Sequence, residues 1–300
     1  MSNVDFGDAL HLRLARRNQL RLRPSLDGGF SSPDLDAEVA DRRLEERFVA
    51  DERAAVQPLL RDVPSDPDGF VAWFEGLRQR GPGQHDALFP WLANDASLED
   101  LRWFLGQEVA GEAGFDDLLA LTQLKMPVPV KLEMARNFWD EMGRGHASGV
   151  HGSLLSDLAR ELALDVPIEH TTTPSLALAN LMVALAWNRR YAFQSLGALG
   201  AIELTASGRS AQVNAGLRRL GVAPHARKYF ALHATLDLQH AETWNREVLR
   251  PLVAGDARCA RAIAEGALLR LQAGARCFAV YRAHLLVKAS PALASAPGPC

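Results

Sequence analysis

Pro174-Ser-Leu-Ala-Leu-Ala-Asn-Leu-Met-Val-Ala-Leu-Ala-Trp187 decides the fold. Alanine and leucine are strong helix formers, and a proline at the start suits the first turn, where its missing N–H has no intrahelical partner. The stretch holds no charge and is apolar on most sides, so it reads as a central, buried helix. The pattern predicts that this helix runs from Ser175 to about Ala206.

The rest of the chain agrees. Isoleucine occurs only at Ile168, Ile202 and Ile263, while Leu, Ala, Arg and Glu dominate; strands favour β-branched residues, so the fold class is all-α. Ser97 is placed to cap a helix from Leu98 to about Ala113. Further helices follow at 116–124, 131–142, 150–164, 210–220, 224–253 and 256–287, giving about eight around one core. Residues 1–45 differ. Arg13, Arg16, Arg17, Arg21 and Arg23 precede Pro24, Gly28, Gly29 and Pro33, then acids dominate, so this part reads as a solvated, partly disordered arm. The helical domain spans 46–288, and the proline-rich 289–300 is a flexible tail.

The 300 residues carry a net charge of −3, which argues against a nucleic-acid binder. No apolar run reaches the ~18 residues of a membrane span, and no secretory leader is visible in residues 1–30. Three scattered cysteines, Cys259, Cys277 and Cys300, make neither a disulfide framework nor a CxxC zinc site, which fits the cytoplasm.

Ionisable residues stand where core helices should be apolar. His233, Asp237 and His240 follow i, i+4, i+7 spacing and share one stripe of a helix. Two imidazoles and a carboxylate on one face suit a first-row metal; the alternative is a polar surface stripe. Glu203 is the only charge between Arg190 and Arg209, and a buried lone carboxylate needs a proton, a partner or a metal. In Asn137-Phe-Trp-Asp-Glu141-Met-Gly143-Arg-Gly145, the glycines can re-aim the chain so that Glu141 meets His151. Glu108 lies in Trp103-Phe-Leu-Gly-Gln-Glu108-Val, with Glu112 one turn further on, and taken alone reads as an ordinary surface glutamate. Carboxylates and histidines pointing inward from facing helices are how helical bundles hold two irons.

In Trp139-Asp-Glu-x-Gly-x-Gly with His151, in Glu203 within a Gly/Ala-rich helix, and in His233-x-x-x-Asp237-x-x-His240, the chain resembles the heme-oxygenase-like diiron oxidases, many of them called iron-containing redox enzymes. The resemblance covers about residues 90–250 and implies a single heme-oxygenase-like bundle. It implies ligand roles for Glu108, Glu141, His151, Glu203, His233, Asp237 and His240 around two Fe(II)/Fe(III) ions, with O2 as co-substrate. Ser148 stands where some members carry a further carboxylate. The implied activity is oxidation of a small molecule, an amino acid, amine or fatty acid, by N-oxygenation, desaturation or C–C cleavage in natural-product biosynthesis. An external electron donor and a homodimer are implied as well. Asp140, Asn137 and Glu242 are candidates to orient the ligands, and Arg189 or Arg190 to clamp a substrate carboxylate. The competing readings are a metal-free heme-oxygenase-like protein, a helical scaffold whose polar residues form only a hydrogen-bonded network, and an HD-type phosphohydrolase on Gln84-His85-Asp86. The last lacks matching His and Asp spacing downstream. Gly143-x-Gly145 follows a helix and has no third glycine, so it is no phosphate loop.

Overall fold

The computed structural model describes residues 3–26, 32–110, 113–164 and 167–288. The tail expected at 289–300 lies outside them. The described residues form α1 (Asn3–Leu22), α2 (Ser32–Val56), α3 (Pro67–Arg80), α4 (Leu88–Asn94), α5 (Leu98–Ala110), α6 (Phe115–Thr122) and α7 (Val128–Glu141). Then come α8 (His151–Glu161), α9 (Thr173–Trp187), α10 (Ala192–Arg219), α11 (Lys228–Thr243), α12 (Arg250–Gly255) and α13 (Arg258–Lys288). Among the described residues there is no strand, only an isolated antiparallel bridge between Met142 and Val150. None of their helices is long and apolar enough to cross a membrane.

Local chemistry places several helix starts. The Asp66 carboxylate accepts from Gly69 N (2.7 Å) at the head of α3. At α5, Ser97 Oγ accepts from Asp100 N (3.2 Å) while Asp100 returns the bond to Ser97 N (2.9 Å), a reciprocal capping box.

The central helix differs from its predicted span. It breaks at Asn188 and then continues past Ala206 without interruption to Arg219. Asn188 is extended (φ −88°, ψ 111°), and its amide competes with the backbone by donating to Ala184 O (3.1 Å) and Glu45 Oε1 (2.9 Å). Gly208 does not end α10, because Ser207, Ser210 and Val213 on either side of it are buried and hold the helix in the core.

α10 packs on α13, α11 and α4. Where α10 crosses α13, a Cβ at Gly197 would sit 1.8 Å from Ile263 O, and one at Gly266 would sit 1.7 Å from Gln194 O. Only glycine lets these backbones approach so closely. Between α11 and α12, residues Trp244–Leu249 form a π-helical segment, and the Trp244 indole lies against Gly200 of α10.

The N-terminal region also departs from its sequence reading. Within 1–45 the described residues form α1 and the first part of α2, and α1 packs along α9. His11, Leu14 and Asn18 are buried. Asn18 Nδ2 donates to Asn180 Oδ1 (2.8 Å), and Asn180 Nδ2 donates to His11 O (3.0 Å). Arg21 and Glu45 form a buried ion pair at 2.6 Å. Docking through paired polar groups hides this contact from a hydrophobic-pattern reading.

Candidate metal centre

α7 delivers Glu141 at its last residue, and α8 begins with His151. The chain between them reverses at Gly143, whose φ is +61°. A Cβ there would lie 2.4 Å from Gly149 C and 2.6 Å from Val150 N, so the turn closes only around a glycine. The glycine pair therefore does what its spacing predicts: Glu141 Oε2 and His151 Nδ1 approach to 2.7 Å. α11 adds His233, whose ring meets that of His151 edge-to-face at 4.7 Å. α10 adds Glu203, and α11 adds His240, with Glu203 Oε2 3.3 Å from His240 Nδ1.

The outcome is two groups of potential ligand atoms: Glu141, His151 and His233, and Glu141, Glu203 and His240, each within 4.8 Å of one another. Glu141 belongs to both. Four of the five residues are buried, and His233 is half-buried.

The partners around these groups fix their orientation. His240 Nε2 faces Asp140 Oδ2 at 3.2 Å, which turns Nδ1 toward Glu203. His233 Nδ1 lies 2.8 Å from Tyr229 O, so that nitrogen carries the proton and leaves Nε2 with a free lone pair. Asn137 Nδ2 donates to Glu203 Oε1 at 2.7 Å. Asp140 and Asn137 thus stand where the sequence suggested. Glu242 does not: it pairs with Arg246 at the surface (3.1 Å).

The electrostatics are those of buried carboxylates crowded around the His240 imidazole. Burial, then the charges of Glu203 and Glu141, push Asp237 far above the usual carboxylate range. Burial also raises Glu141, opposed by His151. For His240 burial acts downward, but Glu203 and Asp140 outweigh it and raise the imidazole to about 9. Burial and the neighbouring His151 lower His233 to about 4. His151 Nδ1 and His240 Nδ1 are buried and make no aligned hydrogen bond, despite carboxylate oxygens at 2.7 and 3.3 Å. Nitrogen and oxygen lone pairs that converge without bonding one another fit a cation between them.

A family model described as an iron-containing redox enzyme matches residues 102–275. The chain belongs to the iron-containing redox enzyme family. The matched segment contains α7, α8, α10 and α11, which carry the two groups, and the family's heme-oxygenase-like fold agrees with the all-α bundle. No curated protein matches the chain. The mixed nitrogen and oxygen donor set, with its buried unsatisfied imidazole nitrogens, fits the iron that this family implies.

Not every residue of the sequence reading joins the two groups. Asp237 is buried and faces the same cavity, one turn from His233, but lies outside both. Glu108 is further away. Its carboxyl keeps company with Tyr281, Arg270 and Arg209, and burial pushes its pKa up. Glu112 lies outside the described residues, and Ser148 is exposed in a turn. Arg189 donates to the carbonyls of Leu121 (3.1 Å) and Thr122 (3.0 Å), closing the end of α6, and Arg190 pairs with Glu46 at 3.3 Å. Neither lines the cavity beside the site. The guanidiniums that do are Arg209 and Arg270, which the sequence reading missed. The one advance signal is weak: Arg270 lies in a largely apolar run, Ala267-Leu-Leu-Arg270-Leu, whereas Arg209 sits among small and polar residues.

Proposed function

We propose that this iron-containing redox enzyme is a non-heme diiron oxidase that uses O2 to oxidise a small molecule. The observation that carries the reading is Glu141, a single carboxylate shared by two groups of buried ligand atoms. A carboxylate common to both groups would be shared by a paired centre, with His151 and His233 completing one group and Glu203 and His240 the other. Ferrous iron held by Glu141, His151, His233, Glu203 and His240 would supply the electrons for O2 reduction, with an external reductant needed to restore it.

The chain's own residues prepare that chemistry. Glu141 stands between the two groups and would be common to both ions. Asp140 orients His240, the Tyr229 carbonyl orients His233, and Asn137 holds Glu203 in place. Asp237 stands beside the groups as a further carboxylate that can bind or keep a proton. The adjoining cavity of about 190 Å³ admits a substrate to Glu141, His151 and His233 while the surrounding helices limit water.

Anaerobic Fe(II) titration tests the reading. The wild type should take up two ions per chain and consume O2 on exposure to air. Glu141→Ala should lose both ions, whereas Glu203→Gln should keep the ion at His151 and His233. Uptake of two ions by Glu141→Ala, or of none by the wild type, would refute it. The second result would favour the metal-free alternative.

A further inference from the structure

The cavity that reaches Glu141, His151 and His233 has a second end with different chemistry. There Arg209 of α10 and Arg270 of α13 line it together with Glu108 of α5. A smaller cavity of about 70 Å³ shares Glu108, Arg270, Phe115 and Ile202 with it and adds Tyr281. Glu108 exposes part of its surface although its carboxyl lies deep in the protein, because that surface faces the cavity rather than bulk water.

Two guanidiniums in one pocket repel each other and need an anion. Among the described residues neither makes an ion pair. Arg209 donates to Thr205 Oγ1 (3.1 Å) and lies over the rings of Phe89 and Phe278, at 5.9 and 5.6 Å. Those contacts hold the guanidinium without neutralising it. Burial and the nearby Arg270 lower Arg209 to about 10, the direction expected for a cation lacking enough counter-charge. Glu108 gives incomplete relief: burial favours its protonated form, and the pull of Arg270, Tyr281 and Arg209 toward the carboxylate does not overcome it.

We propose that Arg209 and Arg270 form a carboxylate-binding subsite, and that the substrate is a compact carboxylic acid held there by its head group. The rest of the molecule then extends between Leu105, Leu155, Val213 and Phe230 toward Glu141 and His233. A planar, monoanionic carboxylate matches the guanidinium fork. A more highly charged group such as phosphate would meet Glu108 and Asp116 in the same cavity. At about 190 Å³ the cavity falls below the roughly 300–1,000 Å³ of drug-sized ligand sites, so it suits a short acid and not a long acyl chain. The subsite rests on the two-iron reading for its place in a reaction, but its binding chemistry is independent of metal.

Calorimetric titration with benzoate and with its uncharged counterpart benzamide tests the subsite, on iron-free and on anaerobic Fe(II)-loaded protein. Benzoate should bind both forms at least tenfold more tightly than benzamide does. Arg209→Gln and Arg270→Gln should each weaken benzoate at least tenfold, Arg209→Lys and Arg270→Lys less, with Fe(II) stoichiometry unchanged throughout. Equal binding of benzoate and benzamide by the wild type overturns the subsite without reference to any variant. So does benzoate binding that requires iron and ignores the arginine substitutions, since the carboxylate would then sit on the metal. Arginine-dependent benzoate binding in a protein that takes up no iron would uphold the subsite and sink only the oxidase reading.

Discussion

At His240 both ring nitrogens face a carboxylate, Glu203 Oε2 at 3.3 Å and Asp140 Oδ2 at 3.2 Å. Together these hold the imidazole charged up to about pH 9. A metal needs a ring nitrogen without its proton, so ion binding at pH 7 must expel that proton. Asp237, also raised, gives up a second if it joins the ion. The sign follows: apparent affinity rises with pH and levels off near 9. Titration with Co(II), which is slower to oxidise than Fe(II), in two buffers of different ionisation enthalpy should show at least one proton released per chain. Zero release would mean that the pocket is already deprotonated. At this scale the sequence was informative where a polar residue interrupted an apolar run, as with Glu203 and His240. It was uninformative for Glu108, Arg209 and Arg270. Helix periodicity gives their direction around one helix, but not which residue of a distant helix they meet.

Among the elements, the turn from α7 to α8 matters most for the site. It brings Glu141 and His151 together across ten residues of chain, and its closure depends on Gly143 at φ +61° against Gly149 and Val150. Gly143→Ala should cost about 2–3 kcal/mol from backbone strain and the clash, read from urea unfolding. It should also lower Fe(II) uptake by separating the two ligands. A variant that unfolds earlier but still binds two ions would show that the turn stabilises without positioning. The glycine pair announced this turn in the sequence. The break at Asn188 went unannounced, because no proline or glycine marks it. It depends on Glu45, which lies 143 residues away in the chain.

Across the whole molecule, the region least legible in the sequence is α1 with the first part of α2. His11 is buried on α1, edge-on to Phe48 at 4.8 Å, and its backbone carbonyl accepts from Asn180. Burial and the charge of Arg276 lower its pKa to about 4, against a weaker opposing pull from Asp8. The unfolded chain, with an ordinary histidine near 6.5, therefore binds the extra proton between these values. Stability contributed here is present above about pH 6.5 and is lost as pH falls toward 4, by about 3 kcal/mol at most. Thermal unfolding followed from pH 7 to pH 4.5 should show the loss, and His11→Gln should flatten that part of the profile. An unchanged slope in His11→Gln would place the acid sensitivity elsewhere.

The wide turn at Trp244–Leu249 carries a consequence for the whole helical rod on which it sits. Upstream, His240 is aimed at Glu203; downstream, Leu252 and Val253 are buried in the hydrophobic core. A regular α-helix advances about 100° per residue. The wide turn absorbs the extra residue that keeps both halves in phase with their separate neighbours. Its buried Trp244, Val248 and Leu249 are costly to truncate, and deleting one residue would also swing the imidazole away from its carboxylates or roll the apolar ridge toward solvent. Length is thus as tightly constrained as composition in this segment.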